Sequence, residues 1–352
     1  MLSKRYHHDG KEVIKLKKLQ KQIRNKIAVK IAEKKYIFEE IDCSICCSKE
    51  YELLSEKDRY GLYCPVVICK KCGLIYANPR MNQDSYREFY EKEYRQLYVG
   101  DKEPLENFFK TQIIRGQNIE RTISQNMNYS FKNKFVLEVG CGAGGILKHF
   151  KKTGCRIKGC DLDMNYLNYG KENYNLDLEY GTLNTIQLQE KPDIIIYSHV
   201  LEHILNLNDE LQTIKKVLKP GGYLYIEVPS VKNMKHHLSY KSDFLKILQN
   251  AHTYHFTQTS LKNLLGKNGF TFQFGDEAVR SVFSNEGKND HKITNDYHEA
   301  ISFLISAEKY RKFFWFDPKN LKRLLRRESM KVIDLLHFRD PLKQILNRPV
   351  SK

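Results

Sequence analysis

The chain has 352 residues, enough for one large domain with appendages, and 41% hydrophobic residues, enough for a packed core. It has no apolar run of transmembrane length and no apolar stretch near Met1 that reads as a secretory signal, so the expected location is the cytoplasm. The net charge of +17 sits at the ends: residues 1–35 carry 12 Lys/Arg against 3 Asp/Glu, residues 308–352 carry 13 against 5, and residues 36–307 balance at 34 against 34. A neutral body argues against a broad nucleic-acid groove, while basic ends suit an anionic partner at the periphery, a membrane surface or nucleic acid.

Residues 11–35 place Leu16, Leu19, Ile23, Ile27 and Ile31 at helical spacing among Lys and Arg. This predicts a basic amphipathic helix within a leading segment 1–40, its stripe packed on the protein body. Six of nine cysteines then fall between 43 and 72. In a reducing compartment such a cluster favours metal over disulfides. Cys43-Ser-Ile-Cys46 and Cys69-Lys-Lys-Cys72 are two C-x-x-C knuckles with 22 residues between them. Two knuckles can close a tetrahedron of thiolates around a structural zinc, which predicts a zinc-ribbon module over 41–80. Cys47 could replace Cys46, and Cys64 is a spare. Residues 81–130 read as a helical bridge rich in aromatics, including Tyr86, Phe89, Tyr90, Tyr94 and Tyr98, able to wall a neighbouring pocket.

From 131 to 284 the texture alternates. Strands are predicted at 135–140, 156–161, 176–181, 193–198 and 222–229, with helices at 145–152 and 209–218 between them. Strands separated by single helices indicate parallel βαβ units and a doubly wound sheet. A helix over 259–268 and strands at 270–275 and 278–284 follow. Residues 285–352 form a basic tail, with Leu321, Leu324, Leu325, Val332, Leu335 and Leu336 on one side of a predicted helix over 319–336.

The loop LEVGCGAGG satisfies G-x-G-x-x-G with Gly140, Gly142 and Gly145, after a strand and before a helix. Asp161 ends the next strand, where an acid can grip ribose hydroxyls. Glu138, two residues before the first glycine, would repel a pyrophosphate but suits a ligand with an ammonium group. S-adenosylmethionine has that group and a ribose, and no phosphate.

LEVGCGAGG, GCDLD, DIIIYSHVLEHI and LKPGGYLYIEVP occur in the order and spacing of class I S-adenosylmethionine-dependent methyltransferases, and the chain resembles that family from about 135 to 284. The resemblance implies a seven-stranded Rossmann-like sheet, mostly parallel with the last strand antiparallel. It implies a cofactor site of Glu138, Gly140, Cys141, Gly142 and Gly144 at the methionine end, Asp161 on the ribose, Leu162, Thr182 and Leu183 about the adenine, and Ser198 nearby. The cysteine module with its following SYREFYEKEYR resembles the zinc-ribbon front end of bacterial methyltransferases of sugar and surface-polysaccharide biosynthesis.

The string His199-Val-Leu-Glu202-His203 matches the H-x-x-E-H of inverted zinc metalloproteases. In this setting it instead follows the fourth strand, on the side where open α/β sheets bind ligands. His199 is a candidate general base for a hydroxyl acceptor, with His203 one helical turn further on and Glu202 placed to orient either histidine. Some relatives bind a divalent metal at this position, and His199, Glu202, His203 and His255 could do the same. Tyr254 is a candidate to line a sugar pocket. The leading expectation is an O-methyltransferase acting on a sugar, nucleotide-sugar or glycan-linked intermediate, peripheral at an anionic membrane. The competing one is an RNA methyltransferase gripping phosphates with its ribbon and basic ends.

Overall fold

The computed structural model describes residues 1–100, 105–286 and 291–335. In chain order the elements are α1 (Lys18–Ala32), β1 (Phe38–Glu39), β2 (Tyr51–Lys57), β3 (Tyr63–Cys69), β4 (Ile75–Ala77), β5 (Arg80–Met81), α2 (Gln83–Phe89), a π-helical turn (Tyr90–Tyr94), α3 (Arg95–Val99) and α4 (Leu105–Met127). Then come β6 (Phe135–Val139), α5 (Gly145–Lys152), β7 (Arg156–Asp161), α6 (Met164–Tyr174), β8 (Leu178–Tyr180), β9 (Ile194–Ser198), α7 (Leu207–Val217) and β10 (Tyr223–Glu227). The chain closes with β11 (Tyr254–His255), α8 (Gln258–Lys267), β12 (Thr271–Gly275), β13 (Arg280–Ser284), α9 (Tyr297–Arg311) and α10 (Pro318–Leu335).

The main sheet has seven strands in the order β12-β13-β10-β9-β6-β7-β8. Its ladders from β10 through β8 are parallel, and β13 runs antiparallel between β10 and β12. The central strands β6 and β9 are covered on both faces, which is why they read as near-continuous apolar runs. One face packs Val136, Ile194 and Tyr225 against Phe109, Ile119, Leu147 and Phe150 from α4 and α5. The other face packs Leu137, Ile195 and Leu224 against α7, α8 and residues of the cysteine module, including Val67, Cys72 and Tyr76.

That module is therefore built into the body rather than appended to it. Its antiparallel sheet has the order β11-β4-β3-β2, and β11 comes from the far side of the main domain. Tyr254 pairs with Tyr76 and His255 with Ile75. Strand β3 shows why: Val67 and Cys69 join the main core while Val66 and Ile68 face Phe244, Ala300 and Leu304 on the α9 side. Alternate side chains of one strand are thus buried in two different clusters.

The first helix begins at Lys18, not at residue 11. The Lys17 N–H donates to Gln20 Oε1 at 3.0 Å and closes the first turn there, leaving Leu16 buried ahead of the helix. Ile27, Ile23 and Ile31 pack on Tyr36, Phe89 and Leu97, as a stripe seated on the body. At the other end Leu336 lies outside the described residues. Among the described residues, no helix is long and apolar enough to cross a membrane.

Candidate active site

The loop after β6 turns on three left-handed glycines, Gly140 (φ 68°), Gly142 (φ 53°) and Gly144 (φ 75°). Gly145, the third glycine of the sequence motif, has ordinary backbone and serves contact instead. A Cβ there would sit 2.6 Å from both Phe109 O and Gln112 Cβ of α4. Cys141 is buried, and its N–H donates to Cys160 O at 3.0 Å, tying the loop to β7. Asp161 accepts the Gly142 N–H (2.7 Å) and the Asp163 N–H (2.9 Å). Burial raises its carboxyl above the usual range, with those two N–H groups opposing. Beneath the loop Glu138 is 3% exposed, and its Oε2 has no hydrogen-bond partner. Burial, and then the charge of Asp161, push its carboxyl well up. A buried orphan carboxylate beside backbone that no side chain could occupy fits a cationic ligand with an ammonium group.

Leu162 is 52% exposed and Thr182 is exposed, both open to a ligand. Leu183 is not: its side chain belongs to the main core. The bridge closes the opposite wall. A Gly142 side chain would touch Phe108 and Tyr166 at 3.5 Å, and Arg95 pairs with Asp163 at 2.9 Å while lying 4.1 Å over the Tyr166 ring.

His199 leaves β9 with φ 59°, a left-handed conformation uncommon outside glycine. Its N–H donates to Glu227 O at 2.7 Å, which holds the strained residue at the ends of β9 and β10. Nε2 lies 3.8 Å from Glu227 Oε1 and Nδ1 lies 3.6 Å from Glu202 Oε1. Ser198 Oγ accepts from Arg115 Nη1 at 3.3 Å and donates to Glu227 Oε2 at 3.5 Å. Of these residues, Arg115 and Glu227 line a groove of about 270 Å³ between α4 and the sheet, with Thr111, Asn118, Tyr225 and Arg280.

Glu202 is fully buried, and neither carboxylate oxygen has a hydrogen-bond partner. His203 Nε2 and His252 Nε2 each lie 4.0 Å from Oε1. Burial pushes this carboxyl up, but His199 and His203 outweigh it and hold it below the usual range. Burial also depresses His203 and His252. Tyr90 and Tyr94, stacked at 4.7 Å, wall the His203 ring at 5.7 and 5.6 Å. The π-helical turn places them so, a device frequent at functional sites.

The expected quartet of His199, Glu202, His203 and His255 is thus not assembled as such. Glu202, His203 and His252 gather their ligand atoms within 4.8 Å, whereas His255 lies outside that group. His255 pairs with Ile75 across β11 and β4, and its ring lies 6.1 Å from both Phe244 and His252. Burial lowers it to about 4. Tyr254 does not line a pocket either: it is buried, bonded to Ser44 (2.8 Å), Leu205 O (3.0 Å) and Arg80 (3.2 Å).

Sequence reasoning passed over Arg115, Glu227 and the pair Arg59–Gln249. Arg59 Nη2 donates to Gln249 Oε1 at 2.6 Å, and the Gln249 amide nitrogen lies 2.5 Å from His252 Nε2. With the amide oriented by Arg59, its NH₂ donates to His252, which places the ring proton on Nδ1. Glu227 carried one legible signal, an acid ending the apolar strand YLYIE beside the strand of His199.

The four knuckle cysteines converge. Cys43 and Cys72 sulfurs are 3.4 Å apart, as are those of Cys46 and Cys69, and all four lie within 4.8 Å of one another. Tetrahedral Zn–S bonds of about 2.3 Å call for sulfurs roughly 3.8 Å apart, so the set fits a zinc ion. The crowded thiols act on one another, pushing Cys69 down and Cys43 up. Cys47 is exposed and Cys64 is buried, both outside the set.

Residues 112–273 match the protein family described as "Methyltransferase domain". A ribosomal protein L11 methyltransferase of Dictyoglomus thermophilum is 39% identical over 92 residues, 25% of this chain and 30% of that protein. A ubiquinone biosynthesis O-methyltransferase of Bartonella tribocorum is 29% identical over 102 residues, 27% of this chain and 41% of that protein. The chain therefore spans less than half the length of these curated relatives. Among solved structures, magnesium protoporphyrin IX methyltransferase from Synechocystis PCC 6803 with bound SAH is 16% identical, covers 58% of this chain and 98% of that one, with a TM-score of 0.39. Residues 112–273 are thus similar to methyltransferase domains and carry most of the seven-stranded sheet.

Proposed function

We propose that the protein transfers the methyl group of S-adenosylmethionine to a hydroxyl of a sugar, nucleotide-sugar or surface-polysaccharide intermediate. The observation that carries the reading is the position of His199. It follows β9 and precedes Val200, whose side chain packs on Gly140 of the glycine loop, and both its N–H and its ring face Glu227, which lines the polar groove. S-adenosylmethionine supplies an electrophilic methyl on a sulfonium when bound. Glu138 and Asp161 hold its ammonium and ribose ends, and Leu162 and Thr182 flank its base. His199 takes the acceptor proton at Nε2, and Glu227, 3.8 Å away, stabilises the resulting imidazolium. Arg115, Arg280, Asn118 and Thr111 offer hydrogen-bond donors and acceptors to a polyhydroxylated acceptor. The Bartonella relative, named as an O-methyltransferase, is consistent with an oxygen acceptor.

The four cysteines hold a structural zinc in this reading, since four sulfurs fill its coordination sphere and leave no open position. A divalent cation at Glu202, His203 and His252 is a second reading, favoured by the unpartnered buried oxygens of Glu202. It requires His252 to give up the bond from Gln249. Titration calorimetry with S-adenosylmethionine tests the main reading: binding lost in Asp161→Ala is expected, and absence of binding to the unaltered protein sinks it. Methyl transfer insensitive to EDTA removes the second cation.

A further inference from the structure

Helices α9 and α10 meet at a turn that leaves much of its aromatic surface exposed. Phe314 is buried and anchors it, and the Asn320 side chain donates to Phe314 O (3.0 Å) and Tyr310 Oη (2.8 Å), so the turn is held in shape. Its neighbours point outward: Phe313 is 62% exposed, Trp315 42% and Phe316 82%. Leu321 and Leu325, one turn apart on α10, continue the apolar surface. Soluble surfaces scatter single apolar residues; five together mark an interaction site. Helix α10 packs chiefly on this same turn. An amphipathic helix without an apolar partner is marginal in water, so its apolar side implies something for it to rest on.

The charge around the patch says what. From 309 to 327 the chain carries eight Lys/Arg and one acid, Asp317. Lys241 Nζ sits 4.7 Å over the Trp315 ring, and Lys246 feels the charges of Lys241, Arg5 and Arg311, with Asp243 opposing them. Aromatic rings and leucines surrounded by long cationic side chains match a lipid headgroup region, where rings enter the interface and Lys and Arg reach anionic phosphates. Nucleic acid would use the cations and rings but gives aliphatic Leu321 and Leu325 nothing to enter.

We propose that the turn 313–316 and the first turns of α10 are an anchor for an anionic membrane surface, laying the helix in the interface plane. This placement stands whether or not the methyl-transfer reading holds.

Trp315 is the sole tryptophan of the chain, so its emission reports the patch directly. The full chain is titrated with phosphatidylcholine vesicles, with and without about 30% phosphatidylglycerol. The expected result is solvent-exposed emission in free protein, then a blue shift and co-sedimentation with the anionic vesicles only. Raising salt from about 0.1 to 0.5 M should weaken binding roughly tenfold or more. The Phe313→Ser/Phe316→Ser variant should lose the shift with an unchanged thermal melt, and Lys322→Glu/Arg326→Glu should lose the preference for phosphatidylglycerol. Four results overturn the proposal: no vesicle response, equal binding to phosphatidylcholine alone, or an already shifted emission in free protein, which would mean that residues 336–352 or a second copy cover the patch. The fourth is a response to an RNA oligonucleotide but not to vesicles.

Discussion

Glu138 shows how one side chain couples stability to ligand binding. Its carboxyl is raised by burial above the ordinary value, so the ligand-free fold binds that proton more tightly than the unfolded chain does. The contribution to stability is full below the ordinary carboxylate range and is lost as the pH rises through the raised value. Glu138→Gln should therefore raise the ligand-free melting temperature at pH 8 by about 2 °C or more, on the order of 1 kcal/mol, and flatten the alkaline decline. The same change should weaken S-adenosylmethionine about tenfold or more, because only the carboxylate answers an ammonium. Calorimetry and thermal melts across pH 5–9 measure both. His199 lives on the other side of the chemistry. His199→Ala should lower kcat about 10²- to 10⁴-fold with donor affinity within about twofold, read by separate turnover and binding assays. An equal loss of donor binding would make His199 structural.

Among the elements, α4 and the π-helical turn do what a bare doubly wound sheet cannot. Gly145 lets α5 touch α4, and a methyl group there meets the Phe109 carbonyl, which cannot move without shifting the helix. Gly145→Ala should cost about 1–3 kcal/mol in urea unfolding and weaken donor binding, because α4 also carries Phe108 and Arg115 to the site. The aromatic run from Tyr86 to Tyr98 was legible as a wall, but not as a π-helical one. A five-residue widening depends on which partner the rings meet, here His203, and no local propensity encodes it.

Taken whole, the molecule makes its cysteine module a support for the Glu202 cluster. Strand β4 pairs with β11, and the turn before β11 carries His252 to Glu202. One zinc per chain is expected by elemental analysis. Cys69→Ser should lose it and, by loosening β4, abolish methyl transfer while leaving S-adenosylmethionine affinity within about threefold. A variant that keeps full turnover without zinc would break this link between module and site.

The sequence by itself determined the sheet and the donor loop. The apolar runs, the glycines and the acids at strand ends act within a few residues of one another, so short-range spacing reveals them. It determined the four-cysteine set for the same reason, two knuckles each closed by a local turn. Tertiary structure alone decided what surrounds His199 and Glu202. Glu202 meets His252 rather than His255 because β11 is drawn into the four-stranded sheet some 180 residues from its partner β4 in sequence, a pairing set by two buried clusters, not by either segment. Arg59 reaches Gln249 across 190 residues, and Arg115 reaches Ser198 across 83. The exposed Phe313, Trp315 and Phe316 read as ordinary core residues in a sequence, because hydrophobicity alone does not say whether the fold supplies a partner.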